Sequence, residues 1–204
     1  MSGAGFWDDR FGGADYAYGT APAAFLEREA GRLKAGARVL MPADGEGRNS
    51  VFLAGRGVEV EAMDLSPKGI AKARALAAAR GVQVAFHLAD ITAWDWDARR
   101  YDAVIGIFMQ FLAPPERARV LAGIGRAVAP GGLVMLHGYA PRQVGYGTGG
   151  PGAAENLYTL DLLRDAFPGW DVLVARDYDA EIAEGSRHVG RSALIDFVAR
   201  RPGS

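Results

Sequence analysis

Arg38-Val39-Leu40-Met41-Pro42-Ala43-Asp44-Gly45-Glu46-Gly47-Arg48-Asn49 is the stretch from which the rest of the chain can be read. It begins as a short apolar run, passes through a glycine-bearing turn and enters a helix at Asn49-Ser50-Val51-Phe52-Leu53. Strand, tight turn and helix in that order form the first βα unit of an open α/β sheet, a fold that binds ligands across the carboxyl ends of its strands. Gly45 and Gly47 lack the Cβ atoms that would hold a ligand off the backbone.

The spacing G-x-G-x-x-S follows the dinucleotide fingerprint with Ser50 in place of its third glycine, and spacing alone discriminates poorly. Charge separates the readings. A pyrophosphate needs bare amides and a helix N-terminus, whereas Asp44 and Glu46 flank Gly45 with two carboxylates. S-adenosylmethionine has no phosphate; an ammonium and a sulfonium outweigh its single carboxylate. An acidic glycine turn suits that cation and repels a nicotinamide dinucleotide. Asp64 follows Gly45 by 19 residues, at the end of Glu59-Val60-Glu61-Ala62-Met63, where an acid meets ribose hydroxyls. The alternative is an ordinary tight turn with a helix-capping Asp.

The 204 residues suit one domain with a full core. An apolar content of 50% with 23% charged residues is that of a soluble globular protein. A net charge of −1 offers no electrostatic footprint for nucleic acid or an anionic membrane. No apolar run is long enough to span a bilayer. Met1-Ser2-Gly3-Ala4-Gly5 has neither the basic nor the apolar region of a signal peptide, so a cytoplasmic protein is expected. The absence of cysteine excludes disulfides, thiolate metal sites, a Cys nucleophile and a Cys-held iron–sulfur cluster; no metal site is expected.

Residues 1–20 carry Phe6, Trp7, Phe11, Tyr16 and Tyr18 among glycines. Disordered termini are poor in aromatics, so this segment reads as a lid. Thr20 and Pro22 predict a helix start, with Phe25, Leu26, Ala30 and Leu33 on one face and Gly36 as its end. Residues 38–139 then alternate strand and helix as a cofactor-binding core. Its strands are expected over 38–42, 59–63, 82–87, 103–108 and 133–137. Ser66-Pro67 and Pro114-Pro115-Glu116 start helices, and Pro130-Gly131-Gly132 makes a turn. Alternation of this kind makes a doubly wound three-layer α/β/α sandwich. Residues 140–158 hold five glycines and two prolines, too long for a simple connection, and read as a substrate loop. The remainder, 159–204, is a helix followed by strands at 170–178 and 192–199, close enough in sequence to pair as an antiparallel hairpin.

These motifs together resemble the class I S-adenosylmethionine-dependent methyltransferases, and within them the tellurite-resistance and thiopurine-type small-molecule enzymes. The resemblance rests on Ala43-Asp44-Gly45-Glu46-Gly47-Arg48-Asn49, Met63-Asp64-Leu65-Ser66, Leu88-Ala89-Asp90-Ile91, Tyr101-Asp102-Ala103-Val104 and Ala129-Pro130-Gly131-Gly132. Trp7-Asp8-Asp9-Arg10-Phe11, Tyr18-Gly19-Thr20, Gly149-Gly150-Pro151 and Glu184-Gly185-Ser186-Arg187-His188-Val189-Gly190 carry it to both ends. It implies a Rossmann-like seven-stranded sheet of order 3-2-1-4-5-7-6 with strand 7 antiparallel. It also implies a cofactor site of Tyr18, Asp44, Gly45, Glu46, Gly47, Asn49, Asp64, Leu65, Ala89, Asp90, Ile91 and Ile107. In that site the Gly45–Gly47 turn passes the methionine moiety, Asp64 holds the ribose, Leu65 and Ala89-Asp90-Ile91 border the adenine, and Ile107 lies under the methionine part. Two departures stand out: Met41 replaces the acid that usually ends strand one, and Ala43 replaces the first glycine of the turn. Asp44 or a backbone carbonyl must then hold the ammonium.

Methyl transfer is an in-line displacement, and a base is needed only where the nucleophile is protonated at neutral pH. His188, Arg187 and Arg191 are the candidate catalytic cluster, two guanidiniums and an imidazole able to orient an anionic acceptor. They read equally as exposed hairpin charges and a packed histidine. His137 and His87 read as structural, and Trp94 and Trp96 as packing. The expected activity is methylation of a small-molecule acceptor, a thiol, chalcogen oxyanion or similar soft nucleophile, by a monomer or homodimer. Nucleic-acid methylation is disfavoured, because Ile107-Phe108-Met109-Gln110 stands where amino-methylating enzymes carry a polar residue, two prolines and an aromatic. A cofactor-binding regulator without catalysis and a nicotinamide-dependent reductase are the competing readings.

Overall fold

The chain's turn and cap residues set where its elements begin. In the computed structural model, which describes residues 3–203, the helices are α1 (Ala4–Arg10), α2 (Ala24–Glu29), α3 (Arg48–Ala54), α4 (Pro67–Ala79), α5 (Pro114–Ala127) and α6 (Leu160–Ala166). The strands are β1 (Arg38–Pro42), β2 (Glu59–Asp64), β3 (Ala85–Leu88), β4 (Tyr101–Ile107), β5 (Val128–Tyr139), β6 (Asp171–Glu184) and β7 (His188–Arg200). They form one seven-stranded sheet of order β3-β2-β1-β4-β5-β7-β6, the order the resemblance implied. Met1 and Ser2 of the expected lid, and Ser204, lie outside the described residues. Among the described residues no helix is long and apolar enough to cross a membrane.

The chain packs as two compact units. The first runs to Trp94 and takes in Glu184–Arg187; the second comprises Asp95–Ala183 and the residues from His188 on. In the first, β1 and β3 flank β2 in parallel, with Met41 opposite Ala62 and Met63 opposite His87. Ser66 caps α4, its Oγ accepting from Gly69 N at 3.0 Å, and Pro67 occupies the first helical position. The predicted strand over 82–87 is shorter, because only Ala85–Leu88 finds a partner on β2. The helix expected at Thr20 begins at Ala24 instead. Asn49 Oδ1 accepts from Ala23 N at 2.9 Å and holds Ala23 extended, delaying the first turn.

In the second unit β4 and β5 are parallel and β7 runs antiparallel to β5. Residues 185–187 connect β6 to β7, too few for anything but an antiparallel hairpin. Both strands are longer than predicted. Asp177-Tyr178-Asp179-Ala180-Glu181-Ile182-Ala183 alternates charged and apolar residues with period two, which extends β6 well beyond Tyr178. Val120, Leu121, Ile124 and Ala127 form the buried face of α5. Trp96 packs against that helix where Gly123 leaves room; a Cβ there would lie 2.4 Å from the indole.

Candidate functional site

The turn after β1 folds back on β2 through one side chain. Asp64 Oδ2 accepts from Gly45 N at 2.8 Å and Oδ1 from Ser66 N at 2.9 Å, so one carboxylate pins both the glycine turn and the start of α4. Each oxygen keeps a second lone pair for a further donor. Burial raises the Asp64 pKa against these backbone bonds. The turn itself is left-handed at three positions, with φ of 53° at Ala43, 63° at Gly45 and 86° at Gly47. Its glycines serve packing as well as conformation. A Cβ on Gly45 would meet the Phe11 ring at 3.2 Å, and one on Gly47 would meet Ala73 Cβ of α4 at 2.7 Å.

The two acids flanking Gly45 do different things. Glu46 is buried; its Oε2 accepts from Ala17 N at 2.8 Å and its Oε1 pairs with Lys72 Nζ at 2.8 Å. Its charge is thus shared between Lys72 and the N-terminal segment. Asp44 remains. Ser50 Oγ donates to its Oδ2, while Oδ1 is sealed from water and meets no donor among the described residues. Burial, partly offset by Ser50 and then reinforced by the nearby Asp64, pushes its pKa up to about 7.

The aromatic N-terminal segment is built onto this turn. Asp8 accepts from Ser66 Oγ and from Lys68 N at the head of α4. Tyr16 OH donates to Lys72 O, and Arg48 donates to Tyr18 O and Ala21 O. Arg48 also pairs with Glu184 at 2.7 Å. Phe11 stacks on Trp7 and meets Tyr18 edge-on; the Tyr18 hydroxyl accepts from Arg10, and burial raises its pKa. Leu65, Ala89 and Asp90 are half-buried and Ile91 is buried. Ala89 N donates to Asp64 O, and Asp90 Oδ1 accepts from both Thr92 N and Thr92 Oγ1.

Of the expected catalytic trio, Arg187 and Arg191 are exposed and His188 is buried. Arg187 is exposed and belongs to the first unit. In the second, Arg191 is exposed, pairs with Asp179 at 2.8 Å and lies 5.1 Å over the Tyr146 ring; that pairing raises its pKa. His188 is buried instead, its ring 4.4 Å from Phe108 and 5.6 Å from Tyr139. A spacing of three along a strand puts His188 and Arg191 on opposite faces. Ile107 is buried and opposes His137 across β4 and β5.

The second unit holds polar groups that residue type alone did not reveal. His137 Nδ1 lies 2.7 Å from Asp196 Oδ1, and Tyr178 OH donates to the same oxygen at 3.1 Å. Gln110 pairs with the Tyr139 backbone in both directions, at 2.7 and 2.6 Å, over Gly138, where a Cβ would lie 2.3 Å from its amide oxygen. Gln143 reaches from the glycine-rich segment to Ala193 N. These partners are 18 to 59 residues apart, so only the strand pairing reveals them.

Comparison with known proteins agrees with this fold. The family model described as a methyltransferase domain matches residues 39–132. That match spans the strand-and-helix core and under half of the chain. The strand order is the one that the resemblance to the class I S-adenosylmethionine-dependent methyltransferases implied. An uncharacterised protein of Mycobacterium bovis is 31% identical over 109 residues, covering 53% of this chain and 39% of the relative. The chain thus spans well under half the length of that relative. Among solved structures, one described by the conversion of a disulfide bond into a thioacetal group during echinomycin biosynthesis superposes with a TM-score of 0.78 at 22% identity, over 98% of this chain and 92% of the other. TehB from Haemophilus influenzae superposes with a TM-score of 0.72 at 15% identity, over 97% and 66%. At these identities the structures speak for the fold.

Proposed function

We propose that this chain transfers the methyl group of S-adenosylmethionine to a small-molecule acceptor with a soft nucleophile, a thiol or chalcogen oxyanion. The observation that carries the reading is Asp44 Oδ1, enclosed at the glycine turn with no donor of its own. That oxygen suits the cofactor's ammonium and takes the part of the acid absent at Met41. The spare lone pairs of Asp64 suit the ribose hydroxyls, and Leu65, Ala89, Asp90 and Ile91 suit an adenine edge. Glu46, Gly47 and Asn49 act at one remove, by fixing the turn and the N-terminal segment. Tyr18 and the lid keep water from the sulfonium, which when bound supplies an electrophilic methyl group. The soft-acceptor assignment draws on the sulfur chemistry named for the thioacetal-forming structural relative.

Calorimetry with S-adenosylhomocysteine tests the cofactor; no binding at high micromolar concentration ends the reading. Methyl-labelled cofactor offered with thiols, selenite and tellurite tests the acceptor. Binding without turnover of any of them would leave a regulator in place of an enzyme.

A further inference from the structure

The glycine-rich segment after β5 is fastened to the β6–β7 hairpin mainly by polar groups. Of residues 141–150, Gln143 is buried, and its apolar neighbour Val144 is 46% exposed. With so little apolar surface enclosed, burial does little to hold these residues down. One carboxylate on β6 does more. Arg142 Nε donates to Asp179 Oδ1 at 2.9 Å, and Tyr146 OH donates to Oδ2 at 2.7 Å. Arg191 of β7 donates to the same Oδ2 at 2.8 Å and lies over the Tyr146 ring. Arg142 also pairs with Asp177, and Glu181 adds to the negative charge facing Arg191. Tyr146, then Arg191 and Arg142, hold the Asp179 pKa well below the ordinary carboxylate range.

Gln143 anchors the base of the segment. Its Oε1 accepts from Ala193 N at 2.8 Å, and its Nε2 donates to Thr148 Oγ1 at 3.0 Å and to Gly149 O at 3.2 Å. Thr148 Oγ1 donates to Arg191 O, and its methyl group faces Gly190, where a Cβ would lie 2.9 Å away. Gly147, Gly149 and Gly150 have φ of 66°, 138° and 84°, angles that a side chain would strain. Gly150 lies against the Tyr139 ring, which a Cβ there would approach to 2.8 Å. That ring in turn meets those of Phe108 and His188. The segment therefore covers aromatic side chains near the carboxyl end of β5, the end of an open α/β sheet at which ligands bind.

We propose that residues 144–150 form a lid over this end of β5, latched by the convergence of Arg142, Tyr146 and Arg191 on Asp179, and that its closed fraction falls as ionic strength rises. Each exposed ion pair is weak and is screened by salt. Loss of the one acid releases all three donors together. Gln143 is the pivot: its bond to Ala193 N persists, while those to Thr148 and Gly149 break as the lid lifts. The glycines beyond it absorb the change in backbone angles. The lid acts on access alone and does not depend on which acceptor is methylated.

Chymotrypsin cleavage after Tyr146, identified by mass spectrometry on the full chain, measures the open fraction at protease concentrations that keep cleavage slower than reclosing. Rates are divided by those of a synthetic peptide of the same segment, which removes the effect of salt on the protease. Wild type should be cleaved about three- to tenfold faster in about 1 M than in about 20 mM sodium chloride. Asp179→Asn should be cleaved fast in both, and Arg142→Gln at an intermediate rate. Asp171→Asn makes the same change of charge at the exposed start of β6 and should follow wild type. A wild-type rate that salt leaves unchanged overturns the latch without any variant. Asp179→Asn cleaved as slowly as wild type overturns it, and so does an equal acceleration in Asp171→Asn, which would make net charge the cause. Cleavage elsewhere in the chain that keeps pace with Tyr146 would mean general unfolding and overturns the lid.

Discussion

Asp44 couples the charge of the glycine turn to pH. Its pKa, raised to about 7 chiefly by burial, means that the folded protein binds a proton the unfolded chain has already released between the ordinary carboxylate range and pH 7. The sign follows: without ligand, this group's contribution to stability falls as pH rises across that window. Binding of an ammonium reverses the preference, because it needs the ionised form. Affinity for S-adenosylhomocysteine should therefore weaken as pH drops below about 7 in the wild type, and much less in Asp44→Asn. Calorimetry in buffers of different ionisation enthalpy checks this through the proton released on binding. Asp64→Ala removes the acceptor of Gly45 N and Ser66 N along with any ribose contact. It should weaken cofactor binding by on the order of 1–3 kcal/mol and lower the thermal midpoint as well, a pairing of effects that ribose contact alone would not give.

The join between the β1 turn and α4 has its own tolerance at the level of elements. Gly47 combines φ of 86° with an Ala73 contact that leaves no room for a methyl group. Gly47→Ala should destabilise by about 2–4 kcal/mol, left-handed strain plus overpacking; urea titration gives the value, and a loss under about 1 kcal/mol would mean that α4 yields. Much of this architecture was legible beforehand, because Gly, Pro and Ser punctuation and continuous apolar runs are local signals. The strand order came with the family resemblance. What the sequence hid was the use of individual side chains. Glu46 looked like ligand lining from its place beside Gly45, yet Lys72 lies 26 residues away and claims it. His137 read as a satisfied core residue, and it is indeed paired, but its partner Asp196 is 59 residues off and reachable only through strand register. Phe108 read as the last residue of strand four, although it leaves the strand with φ of 54°. His188 and Arg191 adjoin in sequence, but a spacing of three along β7 puts them on opposite faces.

Arg48 ties together distant parts of the whole molecule. It joins the N-terminal segment at Tyr18 and Ala21 to Glu184, 136 residues further along. Ser186 N donates to Ala17 O beside it, and a Cβ on Gly185 would lie 2.4 Å from that carbonyl. Arg48→Ala should lower stability by about 1.5–3 kcal/mol, the worth of hydrogen bonds to a charged group. It should also expose the first twenty residues to proteases, with cleavage there preceding cleavage in the β-strands. Limited proteolysis read by mass spectrometry checks it, and unchanged resistance of the N-terminal segment would show that Asp8, Tyr16 and Ala17 suffice to hold it.

The stacking of Trp7 on Phe11, with Phe11 seated over Gly45, makes the turn visible to light. Of the four tryptophans, Trp7 alone belongs to the N-terminal segment. In a protein with Trp94, Trp96 and Trp170 replaced by phenylalanine, its emission would report the rate at which this segment lifts and settles, with no dye attached.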